Sequence, residues 1–247
     1  QKGMPMSFIQ KEIQANSKKN SSEWFLSPYF AIFFTVIAML LYFVICYACR
    51  AKFGVFDVEE VGATEFTTYL FYGVSLCVML KLRKDYLHTP LQKTFYSLGF
   101  LWFSALLREM GVQHWLTRHD STAIKIRFFT NPNNPLHEKI ITFVILAIVA
   151  SVVIFLLRNY TGKVLAGIRN FHPVDWTIAT LFAFTAITQI ADRFPAEYAK
   201  AAGEKLTEPV LFFLKILEEG GESLLPLLFA IALLQFHILQ HQKITKS

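Results

Sequence analysis

The sequence predicts an all-α, polytopic integral membrane protein with about six transmembrane helices, the last of which a glycine pair can break. Three observations carry this prediction. The 247-residue chain is 54% hydrophobic with a mean hydropathy of +0.41, too apolar for a soluble domain. Charged residues make up only 17% and cluster between apolar runs. Residues 24–49 form one stretch of 26 uncharged residues, and a spanning helix needs about 20.

The net charge of +6 fits Lys and Arg flanking membrane spans. There is no basic helix, zinc-finger spacing or RNA-binding motif, so no nucleic-acid partner is expected. Three cysteines make no disulfide framework. Cys46 and Cys49 have CxxC spacing but read as two membrane cysteines, and Cys77 reads as packing.

Residues 1–23 form a polar, Lys-containing tail, expected on the cytoplasmic side. Residues 24–241 form a single transmembrane domain, with spans near 24–49, 63–80, 94–115, 140–157, 175–192 and 209–241. Trp24 and Tyr29 suit an interface at the head of the first span. The second apolar run, 66–80, is too short alone, which draws Glu65 to the interface. Thr68, Tyr69 and Tyr72 follow Glu65 at i+3, i+4 and i+7 and share its helical face. The third run, 94–107, must continue through Arg108, Glu109 and His114 to about Trp115 if it spans.

Residues 116–139 are the longest polar connection and are expected to fold over a site from outside. The segment holds His119, Asp120, Lys125, Arg127 and the turn-rich NPNNP. The fourth span is plain packing, and 158–175 reads as a short basic loop. The fifth carries a polar stripe of Thr185, Thr188, Gln189 and Asp192. Residues 193–208 read as a separate short surface helix.

The last stretch holds the most costly residues. Glu218, Glu219 and Glu222 surround Gly220–Gly221 inside an otherwise apolar run. A charge at membrane depth costs about 2.5–3.5 kcal/mol, and each glycine costs a helix about 1 kcal/mol. The stretch is either an irregular, embedded site or an interfacial turn, and both put the acids at one edge of the final span.

With six spans and the N-terminus inside, the inner segments carry four, four, three and two basic residues. The positive-inside rule then places both termini in the cytoplasm of a bacterial-type inner membrane. On that topology Glu65, Glu109, His114, Asp192, Arg193 and the glutamate cluster meet at the outer face, beneath the loop with His119.

Such a set suits general acid–base or metal chemistry. Glu109, Glu218, Glu222 and Asp192 are the candidate catalytic residues. Glu65, His114, His119, Glu219 and Glu222 are the candidate ligands of a divalent Zn, Mn, Mg or Fe ion. Arg108, Lys125, Arg127 and Arg193 form a rim for an anionic substrate. The expected function is a metal-assisted membrane hydrolase or transferase acting on a lipid or lipid-linked phosphate. Membrane lipids are the expected partners. The alternatives are an ion- or proton-coupled carrier or channel, and a non-catalytic assembly subunit held by salt bridges such as Lys215 with Glu218 or Glu219. His237 and His241 stand 15 and 19 residues beyond Glu222, and 15 residues is roughly 22 Å of helix, too far to share its site. No facing histidine within a span offers heme a second ligand, so heme is not expected.

Overall fold

The uncharged 24–49 run becomes the first helix, α1 (Phe30–Phe53), in the computed structural model, which describes residues 23–53, 62–112 and 126–246. The helices that follow are α2 (Gly62–Tyr86), α3 (Gln92–Glu109), α4 (Ile126–Thr130), α5 (Leu136–Arg169), α6 (Pro173–Ala202) and α7 (Glu208–Lys246). No strand occurs among the described residues. By length and composition, α1, α5, α6 and α7 can each cross a membrane, which points to a membrane protein.

Several boundaries differ from the sequence expectation. The span expected over 94–115 stops as α3 at Glu109, because Gly111 takes the left-handed conformation (φ 66°) and its N–H closes on Arg108 O at 3.0 Å. The basic loop expected over 158–175 is mostly helix. Isolated Arg158 and Lys163 do not break α5, and the chain turns only at residues 170–172 before Pro173 opens α6. The separate helix expected over 193–208 is the end of α6, which runs through Pro195 to Ala202. Pro195 forfeits one backbone bond among good helix formers, and Gly203 (φ 73°) then stops the helix.

The expected break in the last helix is also absent: α7 runs unbroken for 39 residues. Local propensity is overridden here by packing. A Cβ on Gly220 would lie 2.3 Å from Tyr42 Cδ1, and one on Gly221 2.2 Å from Thr188 Cγ2. The glycines let α1 and α6 close onto α7.

The chain divides into two units, residues 1–78 with 166–247, and residues 79–165. In the first unit α7 packs most extensively on α6 and next on α1. Its core is Ala31, Met39, Phe184, Leu224 and Leu228, with Cys46 and Ile216 buried further along. Residue numbers fall along one helix as they rise along the other. Thr177 meets Gln235, Thr188 meets Gly221 and Gln189 meets Glu222, so α6 is antiparallel to α7. Phe25 meets Gln235, Tyr42 meets Gly220 and Arg50 meets Glu208, so α1 is antiparallel to α7 as well. Trp24, Tyr29, Phe30, Phe171 and Trp176 cluster where α1 and α6 begin, an aromatic end of the kind found at a membrane–water interface.

In the second unit, Tyr86 stacks on Phe95 with ring centroids 5.3 Å apart. The Thr94 and Tyr160 hydroxyls bond each other, joining α3 to α5.

Candidate functional site

The α6–α7 register brings the predicted polar stripe of α6 to the glutamate cluster of α7. Lys215 comes first in chain order, and its ammonium meets two carboxylates at once, Glu219 Oε1 at 3.0 Å and Glu218 Oε2 at 3.4 Å. The spacings i+3 and i+4 on an intact helix make this possible. Less than a third of each of these side chains is exposed, 27% for Lys215, 17% for Glu218 and 30% for Glu219. Asp192 of α6 is exposed and lies within electrostatic reach of Glu218. One turn further along α7, Gln189 Nε2 donates to Glu222 Oε1 at 3.4 Å.

The next layer is neutral. Ser223 Oγ donates to Glu219 O at 2.9 Å, and it lies 2.6 Å from the buried Thr68 hydroxyl of α2. Thr188 is fully buried against Gly221. Pro226, also fully buried, has no N–H to give Glu222 O, so the backbone ladder lacks one bond just past the acids. Beyond it Leu224, Leu228 and Phe184 make an apolar block. Polar contacts resume only at Gln235, which accepts from Thr177 Oγ1 at 2.7 Å and donates to Phe25 O at 2.8 Å.

The depth of the acids follows from α1. Gly220 lies against Tyr42, eight residues before Arg50, or about 12 Å along the helix. Residues 24–49 carry no charge. The three glutamates therefore stand alongside a stretch of α1 that holds no Asp, Glu, Lys or Arg.

The other predicted site residues are placed as follows. Glu65 is exposed and accepts from Tyr69 Oη at 2.7 Å, one turn on, while Thr68, Tyr72 and Ser75 of the same helix are buried. Arg193 is exposed and within charge reach of Glu197. Arg108, exposed, and Glu109 end α3 in the second unit. His114, His119, Lys125 and the Arg127 side chain lie outside the described residues. Glu218, Glu219, Glu222 and Asp192 do not bring three carboxylate oxygens within 4.8 Å of one another. The His237 and His241 rings lie 4.4 Å apart at the far end of α7.

Sequence reasoning missed Tyr42, Ser223 and the Thr177–Gln235 pair. The Thr177–Gln235 pair left one readable signal, an uncharged polar residue inside each of two apolar runs. No family model, no curated protein and no solved structure matches this chain.

Proposed function

We propose that the chain is a six-span membrane protein, with α2 and α3 as the two further spans, whose α6–α7 carboxylate cluster takes up and releases protons or small cations from one face, in ion- or proton-coupled transport. One observation carries this reading. Two carboxylates, Glu218 and Glu219, share one lysine, with Asp192 in electrostatic reach of Glu218, at a level where α1 is uncharged. That excess of negative charge must be met by protons or cations, and intramembrane acids mark such paths. Gln189 and Glu222 extend the cluster inward, and the Leu224–Leu228–Phe184 block closes it toward the aromatic end. In this reading the block is the closed gate. Both termini lie in the cytoplasm, and membrane lipids surround the spans.

A second reading keeps the one-sidedness and discards transport. A site open only to one face suits a metal-assisted hydrolase or transferase working on a lipid or lipid-linked phosphate, with Zn, Mn, Mg or Fe as the ion. In that case Glu218, Glu222 and Asp192 act in catalysis, with Glu219 among the ion's ligands.

The decisive experiment reconstitutes wild type, Glu222→Gln and Glu218→Gln into liposomes holding a pH-sensitive dye. We expect wild type to pass protons down an imposed potential and each variant to lose most of the flux. Wild-type flux no greater than that of protein-free vesicles would sink the carrier reading. Stoichiometric metal in the same wild-type preparation, lost in Glu222→Ala, would then favour the enzyme.

A further inference from the structure

The segment before α5 has more acceptors than donors. Its turn is Asn131–Pro132–Asn133–Asn134–Pro135. Two prolines remove two N–H groups while leaving every carbonyl in place. Four donors at this segment are already used. Asn134 N–H donates to Asn131 O at 3.3 Å and Asn133 N–H to Asn131 Oδ1 at 3.0 Å. Asn134 Nδ2 donates to Phe128 O at 2.7 Å, and Lys139 Nζ to Asn131 O at 2.8 Å.

Two oxygens are left over. Asn134 is 3% exposed and Glu138, in the first turn of α5, is 7% exposed. Neither Asn134 Oδ1 nor Glu138 Oε2 has a hydrogen-bond partner among the described residues. An ionised carboxylate only accepts, as does an amide oxygen. Buried charge is tolerated when it is paired or coordinates a metal. The absent partner must therefore be a cation or a donor.

We propose that Glu138 and Asn134 bind a hard divalent cation at the head of α5. Calcium chemistry fits, because such ions take carboxylate, Asn amide and backbone carbonyl oxygens together with water. The acceptor-rich turn would supply carbonyls for the remaining positions. The positive end of α5 works against a cation there, which keeps the affinity moderate. The site lies in the second unit and shares no residue with the α6–α7 cluster.

The test uses the full chain in detergent after chelator treatment, with calcium alone as the probe and magnesium for comparison. Wild type should gain on the order of 5 °C in Tm at saturating calcium. Equilibrium dialysis with labelled calcium should find one ion per chain. Glu138→Gln should lose both effects, while Glu222→Gln keeps them. Asn134→Asp, which adds a carboxylate, should bind at least severalfold tighter, and it serves as the informative variant if Glu138→Gln does not fold. No calcium- or magnesium-dependent shift in wild type would overturn the proposal and assign the missing partner to a proton or water. A shift that survives both Glu138→Gln and Asn134→Asp unchanged would overturn it equally, placing the ion elsewhere.

Discussion

Lys215 lets α7 carry Glu218 and Glu219 side by side. It is shared between Glu218 and Glu219, and all three side chains are less than a third exposed. Removing one partner of a largely buried ion pair leaves an uncompensated charge. Lys215→Met should therefore cost about 1–3 kcal/mol, below the fully buried range because water still reaches the group. The triple variant Lys215→Met/Glu218→Gln/Glu219→Gln should recover most of that loss. Chemical denaturation in detergent reads both, and a lysine variant as stable as wild type would show the pairs to be ornamental. This triad was legible in the sequence, because i+3 and i+4 arithmetic needs only an intact helix. Gln189 was legible as a member of the α6 stripe and Glu222 as a member of the glutamate cluster. Their meeting was not, since it depends on the register of α6 against α7. Ser223 gave no signal at all, because a lone serine beside acids looks the same whether or not Thr68 faces it.

At the scale of elements, the Gly220–Gly221 pair shows why local propensity misled. Two glycines lower helix preference, yet α7 passes through them without a break. What selects them is space, and space is a property of α1 and α6. The contrast with Gly73 in α2 makes this testable. A Cβ at Gly73 meets nothing within 4 Å, whereas one at Gly221 meets Thr188 Cγ2 at 2.2 Å. Gly221→Val should destabilise by about 1–3 kcal/mol through overpacking. Gly73→Ala should be neutral or gain up to about 1 kcal/mol from helix propensity. Equal effects at the two positions, measured by thermal denaturation, would refute the packing explanation. Of the element ends, the start of α6 at Pro173 was legible to within two residues. Its end at Gly203 was not, because the surface helix expected over 193–208 ran past it. Ends were misplaced at Arg158, Lys163 and Pro195, where one unfavourable residue is carried by its neighbours.

For the whole molecule, the six-span proposal requires α2 and α3 to cross the bilayer with the four strongly apolar helices. Six spans and four spans both return the C-terminus to the N-terminal side. They differ at the α2–α3 connection, residues 87–91, where His88 has a positive φ of 62°. A single cysteine at Thr89, in a chain with Cys46, Cys49 and Cys77 replaced by Ala, separates the two. We expect a membrane-impermeant maleimide to label it only from the cytoplasmic side; labelling from the outside alone would reduce the count to four. The apolar helices themselves were plain in the sequence, and α5 is the clearest case. Its spanning window is only 6% buried against 50% for α7, as befits an uninterrupted apolar run in contrast to a helix that must pack around acids. The placement of Lys215 also bears on how the chain is made. The ammonium rides on the same helix as the carboxylates it meets, within one turn of them. α7 therefore leaves the ribosome with part of its charge already cancelled. It can enter the translocon as a partly neutralised segment, without waiting to be chaperoned by α6 for every acid it carries.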